Sequence, residues 1–177
     1  VNAARPMIDE IFRDRFNSHV LAIAPYPPQV VFCNAVVKNL NDLKGKKIRA
    51  SGRMTAKFLE ALGAEGVNVA FSEVPGALQK GVVDCAVTGA GSGYSAGWWE
   101  VSTHLLAIPL GGWDPVVTAI NLTKWKSLTE AQRTLITQTI KKNFEDPAWA
   151  AAQSALQNDI ACLTGKGVCP VGEVRNM

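Results

Sequence analysis

Apolar positions change their period several times along this chain. Between residues 6 and 16, Ile8, Ile11, Phe12 and Phe16 recur at helical spacing and predict an amphipathic helix. The period then shortens. Residues 20–24 and 30–33 are apolar runs rich in β-branched side chains, and Pro25-Tyr26-Pro27-Pro28 between them makes either two strands or one strand with a kink. Asn39 or Asn41 can cap one helical turn that Gly45 ends. Residues 47–50 read as a short strand, and residues 55–62 as a helix with Phe58, Leu59 and Leu62 on one side and Gly63 as its stop. A strand over 67–71 follows, then a helix capped by Ser72, opened by Pro75 and ended at Gly81, then a buried-type strand over 82–88. Residues 42–89 therefore form a βαβαβ pattern, and connections this short favour a parallel sheet with right-handed crossovers.

Beyond the turn at residues 89–93, a helix carrying Trp98, Trp99 and Val101 leads to apolar runs at 104–110 and 115–121. Gly111-Gly112-Trp113-Asp114 joins them, as in one long bent strand crossing between lobes. The rest reads as helix. Ser127-Leu128-Thr129-Glu130 fits a capping box, Leu128, Ala131, Leu135, Ile136, Ile140 and Phe144 form one apolar stripe, and Pro147 kinks that helix or starts another. The sequence contains no internal repeat or low-complexity tract.

Composition narrows the function classes. A chain of 177 residues with 47% hydrophobic content can bury one substantial core or two small lobes. The formal charge is +3 and its Lys and Arg are dispersed, which argues against nucleic-acid binding. No apolar run approaches the roughly 18 residues that span a bilayer. The chain opens on Val1-Asn2-Ala3, as if mid-helix, with no signal-peptide pattern. Four cysteines, at 33, 85, 162 and 169, show no CxxC spacing and no histidine cluster, which disfavours zinc and thioredoxin-like chemistry. Cys162 and Cys169 bracket the glycine-bearing turn LTGKGV and suit a small covalent loop. A bridge between Cys33 and Cys85, each on a predicted strand, would close a long one. Disulfides imply an oxidising compartment; four buried free thiols are the alternative.

Catalytic chemistry finds little support. The two histidines, His19 and His104, each sit beside an apolar strand without an evident partner, and Asp84 and Glu73 lie near element ends where capping is the usual role. Ser92 and Ser95 occupy a glycine-rich turn that fits no G-x-S-x-G register. The same turn, Gly91-Ser92-Gly93-Tyr94-Ser95-Ala96, formally matches a dinucleotide fingerprint, but the acid expected near 20 residues on would be Asp114, in a Gly/Trp/Pro turn. A glycine-bearing helix start can also accept an anion, or carry its glycines for steric reasons alone. Arg49 is the sharper candidate. Its guanidinium fork matches a carboxylate bidentately, and on a short strand it points either into a cleft or along a sheet edge. Phe71, Trp98, Trp99 and Trp113 either wall a pocket around a small acid or belong to the core.

The segments DLKGKKIR (42–49), ALGA (61–64) and FSEVPGALQKGVVDCAVTG (71–89) resemble the DctP-type solute-binding proteins of TRAP transporters, the tripartite ATP-independent periplasmic transporters. WWEVSTHLLAIPL (98–110) and NLTKWKSLTEAQR (121–133) match more loosely, and ACLTGKGVC (161–169) is similar to a subgroup with a C-terminal cysteine pair. The resemblance implies an α/β, periplasmic binding protein-like fold, with one complete lobe plus the C-terminal helical part of a truncated first lobe. On that reading residues 1–18 are a helix remaining from the first lobe, 19–115 the second α/β lobe, and 116–177 the return strand and C-terminal helices of the first.

It also implies a periplasmic receptor, not an enzyme and without a cofactor, that captures a small organic acid and delivers it to membrane permease subunits. Arg49 stands where the family's ligand-carboxylate arginine lies, Phe71 at a pocket wall, and Thr88, beside Gly89, where some members have a ligand-binding asparagine. A second family arginine is replaced around Gln29. A monocarboxylate with an apolar or aromatic tail facing Trp98, Trp99 or Trp113 is the expected ligand. With little of one wall present, this chain by itself is expected to bind weakly and to self-associate. The competing readings are a dinucleotide-dependent enzyme built on the Gly91 turn and the effector-binding module of a regulator, which would need a basic helix-turn-helix not evident here.

Overall fold

The two apolar strands flanking Pro25-Tyr26-Pro27-Pro28 part company in the computed structural model, each joining a different sheet. Residues 3–170 and 177 are described; Val1 and Asn2, where the chain reads as if mid-helix, lie outside them. In chain order the main elements are α1 (Arg5–Phe16), β1 (Ser18–Tyr26), β2 (Gln29–Cys33), β3 (Lys47–Arg49), α2 (Arg53–Ala61), β4 (Glu65–Val67) and α3 (Val74–Gln79). There follow β5 (Cys85–Thr88), α4 (Ala90–Ser95), β6 (His104–Leu110), β7 (Asp114–Asn121), α5 (Leu122–Ser127), α6 (Glu130–Ile140) and α7 (Asp146–Leu163). The chain divides into two compact units: one holds the residues up to Tyr26 with Trp113–Gln153, the other Pro27–Gly112 with Ser154–Met177.

The larger unit is built on a five-stranded sheet in the order β4-β3-β5-β2-β6. Strands β4 and β5 run parallel to β3, as the βαβαβ pattern predicts, while β2 is antiparallel to both β5 and β6, so the sheet is mixed. Both faces are covered. Alternation along the strands sends Val31, Cys33, Ile48, Cys85, Val87 and Leu106 to one side with Leu43 and Leu59. Val30, Phe32 and Ala86 go to the other, against Val74, Leu78, Trp98 and Leu163. Asn39 caps the 3-10 turn Leu40–Leu43 in a capping box with Asp42. The helix α2 stops where Gly63 takes φ 79°, a conformation that suits only glycine without strain.

Several elements differ from the sequence reading. The strand expected over 67–71 is β4, ending at Val67, and Phe71 instead begins the 3-10 turn Phe71–Glu73. The helix α3 has Glu73 at its N-cap and no side-chain cap from Ser72. Residues 104–121 make two strands in different sheets, broken at Gly111 with φ 76°.

In the smaller unit, β1 and β7 pair antiparallel from Ser18 opposite Asn121 to Tyr26 opposite Asp114, with an irregularity between Val20 and Ala22. The outer backbone groups of β1 are met by side chains. Arg5 Nη2 donates to the Val20 carbonyl at 3.0 Å, the Ile23 N–H donates to Glu145 Oε1 at 2.9 Å, and Trp149 Nε1 donates to the Ile23 carbonyl at 2.7 Å. Arg5 Nη1 also lies 3.3 Å from Glu145 Oε1. The expected assignment of 19–26 to the α/β lobe does not match this pairing, which groups β1 with β7. Nor does the expected grouping of the C-terminal residues: α7 begins in the smaller unit, but its residues 154–163 belong to the larger. The capping box forms two residues later than predicted, between Thr129 and Gln132, while Ser127 Oγ donates to the Lys124 carbonyl. A π-helical turn, Lys141–Glu145, precedes Pro147 and absorbs the break that a residue without an N–H imposes. No residue of α6 is buried, and Leu135 on its apolar stripe is 66% exposed.

All four cysteines are paired, Cys33 with Cys85 and Cys162 with Cys169. Cys33 and Cys85 face each other directly in the β2–β5 register. Alkylation of the folded chain without reductant is expected to label no thiol, and alkylation after reduction to label four, as read by intact mass. The separations of 52 and 7 residues set the stability at stake. Replacing the first pair by alanine lowers unfolding stability by about 4 kcal/mol and the second by about 2 kcal/mol in urea titrations.

Candidate functional site

The carboxyl ends of β3, β4 and β5 lie side by side because these strands are parallel, and loops leaving such an edge are where open α/β sheets hold ligands. Arg49 is the last residue of β3. It is 8% exposed, and two main-chain carbonyls hold its guanidinium: Nε donates to Val69 at 3.1 Å and Nη1 to Val87 at 2.8 Å. These take one N–H each from a five-donor fork. Two rings flank the charge, Phe71 with its centroid 6.0 Å from Cζ and Trp98 at 5.8 Å, within the range of cation–π attraction. Thr88 is buried at the end of β5, and Gly89 follows it, also buried, as N-cap of α4.

The fold thus gathers Arg49, Phe71, Thr88 and Gly89 on one sheet edge. Phe71 is 42% exposed and can wall a site; Trp98 is fully buried and cannot face a ligand tail as expected. Its ring meets Phe71 at 5.0 Å and Phe32 edge-on at 5.7 Å. Trp99 lies partly buried against Tyr94 and donates its indole N–H to the Tyr94 carbonyl. Trp113 belongs to the other unit, where it is 42% exposed. Two concavities open in the larger unit. One of about 290 Å³ is lined by Ala50, Gly52, Arg53, Ala56, Gly66, Val67 and Asn68. The other, about 430 Å³, is lined by Phe71, Gly91, Ser92, Ser95 and Ala96.

The glycine turn has a packing explanation. A Cβ on Gly93 would lie 2.4 Å from the Phe32 ring, and one on Gly91 would lie 2.5 Å from Asp159 Oδ2. The Asp159 carboxylate, reaching in from α7, accepts a hydrogen bond from the Gly91 N–H. An internal carboxylate therefore occupies the place where a phosphate would sit in a dinucleotide site. Sequence reasoning missed both Trp98 as a partner of Arg49 and Asp159 as a partner of Gly91. Neither has a local signal, since each pair is far apart in the chain.

The other titratable candidates are structural. Asp84 Oδ2 accepts the Lys47 N–H at 2.8 Å, which ties β3 to the turn before β5. His104 Nδ1 pairs with Thr103 Oγ1 at 2.9 Å. In the smaller unit His19 stacks on Trp125 at 4.3 Å, and burial there lowers its pKa below the ordinary histidine value. Among the described residues no three His, Cys, Asp or Glu side chains are grouped to hold a metal, and no helix is long and apolar enough to cross a membrane.

Residues 12–168 match the family described as bacterial extracellular solute-binding protein, family 7, or DctP. A curated relative, the uncharacterized protein YiiZ of Salmonella typhimurium, is 30% identical over 124 residues, which is 65% of this chain and 36% of the relative. DctP7, a Bordetella pertussis extracytoplasmic solute receptor binding pyroglutamic acid, superposes with a TM-score of 0.81 at 23% identity, over 95% of this chain and 55% of its own. A marine metagenome TRAP solute binding protein specific for pyroglutamate gives 0.79 at 21%, over 98% and 57%. The periplasmic ectoine-binding protein of the Halomonas elongata TeaABC TRAP transporter gives 0.76 at 22%, over 90% and 51%. The chain spans 36% of the curated relative and 51–57% of these solved chains. The shared fold is the α/β fold of periplasmic solute receptors.

Two measurements test the packing account of the turn. Gly93→Ala is expected to destabilise by about 1–3 kcal/mol in urea unfolding, because the Phe32 ring is held in the core. Burial raises the Asp159 pKa above its ordinary 3.8, and the Gly91 hydrogen bond partly opposes it. A carboxyl whose folded pKa is raised favours folding most while protonated, so this contribution is lost as pH rises from the unfolded value through the folded one. Asp159→Asn, whose amide oxygen can still accept from Gly91, is expected to remove that fall when unfolding is followed across this interval.

Proposed function

The chain belongs to the DctP family, family 7 of the bacterial extracellular solute-binding proteins, and from that premise we propose that it is part of a TRAP receptor for a small carboxylic acid. The family and the similar solved structures are receptors rather than enzymes. The observation that carries the reading is the buried Arg49, anchored on main-chain carbonyls at the carboxyl edge of three parallel strands and flanked by aromatic rings. A guanidinium pre-oriented in this way loses little freedom when it takes a carboxylate bidentately. In this reading Arg49 receives the acid group, Phe71 packs against the body of the ligand, and Thr88 with the Gly89 backbone supplies polar contacts. The receptor works in the periplasm, where its disulfides persist, and delivers the acid to a membrane permease.

Pyroglutamate and ectoine, held by similar receptors, are small ring compounds that carry one carboxylate each, and they set the first panel of ligands. The dinucleotide reading has no observation in its favour, because Asp159 occupies the Gly91 turn.

The test uses the product of the whole gene. At least one small carboxylic acid should raise its melting temperature in a saturable way, while NAD should not. Arg49→Lys keeps the charge but loses the fork, and it should weaken that acid by about thirtyfold or more in calorimetry. Affinity unchanged in Arg49→Lys would remove Arg49 from the site.

A further inference from the structure

Trp98 is fully buried, yet its indole Nε1 is one of two buried side-chain polar atoms without a hydrogen-bond partner among the described residues. A phenyl ring would fill much of the same space without stripping an N–H group of water. What the indole adds is a more electron-rich face, the best aromatic partner for a cation. That face is turned to use. The Arg49 Cζ lies 5.8 Å from its centroid, and Phe71 stands beside both at 5.0 Å from the indole and 6.0 Å from Cζ.

The indole is itself held from behind. Phe32 meets it edge-on at 80°, Ser102 Oγ donates to the Trp98 carbonyl, and Phe32 in turn occupies the space that a side chain at Gly93 would need. A chain of aromatic contacts therefore runs from the α4 turn through Phe32 and Trp98 to the guanidinium. On the other flank the Val69 and Val87 carbonyls fix Nε and Nη1. Two carbonyls and two rings constrain both the position and the plane of the charged group.

We propose that Trp98 is a positioning residue for Arg49: its buried indole holds the guanidinium against Val69 and Val87, so that the fork is oriented before any ligand arrives. Trp98 then shapes affinity without touching the ligand, and Phe71 is the only one of the two rings exposed enough to do so. The functional meaning rests on the reading of Arg49 as the carboxylate donor. The coupling itself does not, and it is tested without a ligand.

The Arg49 Nε–H resonance in the ¹⁵N-labelled chain is identified by its loss in Arg49→Lys. Its hydrogen exchange is then followed as tryptophan is replaced biosynthetically by singly and doubly fluorinated tryptophan, which drains π density with little change of shape. Arg49 Nε–H exchange should accelerate about threefold or more per step, while the backbone amide of Val31, in the same sheet, stays constant. Unchanged Arg49 exchange, or an equal change at Val31, would overturn the proposal. Trp98→Phe supplies a second arm: Arg49 exchange should rise while the urea midpoint holds or increases. A fall in the midpoint with Arg49 exchange unaltered would mark Trp98 as core alone. Failure of Arg49 to bind any acid leaves these readings intact, so the two proposals stand or fall separately.

Discussion

A guanidinium withdrawn from water must find acceptors inside the protein, and much of the larger unit is arranged around where Arg49 finds them. Removing such a charge from solvent costs several kcal/mol unless hydrogen bonds replace its hydration. One acceptor is the Val87 carbonyl on the neighbouring strand; the other is Val69, in the loop that follows β4. The arginine therefore joins three successive segments of the βαβαβ pattern at their carboxyl ends. Moving any of them strands a buried charge, which is a far larger penalty than losing one apolar contact. The short strands β3 and β4, three residues each, gain from this a tie that their own few ladder bonds do not supply.

Features set by nearest neighbours were legible in the sequence. The Gly63 stop, the Asn39 turn and the strand carrying Arg49 depend on residues within a few positions, and all three form. The cysteine pairs were legible too, because one closes a short loop and the other joins two strand-like runs. Sheet membership was not. Residues 20–24 and 30–33 have the same apolar, β-branched character, yet β1 pairs with a strand near residue 118 and β2 with one near residue 87. Local pattern carries strand propensity but not the identity of the partner, which tertiary packing decides. The antiparallel addition of β2 to an otherwise parallel run has the same origin.

The site shows the same division. Arg49 and Phe71 stood out because their residue types and surroundings were informative, and the fold brings them together. The glycine turn carried three readings in the sequence: nucleotide, anion or steric need. Phe32 and Asp159 decide among them, one 61 residues before Gly93 and the other 68 after Gly91. Tryptophan spacing pointed to a pocket or a core. Trp98 turned out to be in the core and yet beside the charge, a combination that no one-dimensional pattern encodes.

Leu163 closes the same apolar face of the sheet as Val30, Phe32 and Ala86, although it arrives more than a hundred residues after the first two of them. The Cys162–Cys169 bridge and the Asp159 contact with Gly91 lie in the same late segment. A chain emerging from its N-terminus, from a ribosome or through a translocation pore, thus carries one unsealed flank of this sheet until that segment follows. The core of this unit is therefore completed by contacts of long sequence separation, the kind whose loop-closure cost slows folding.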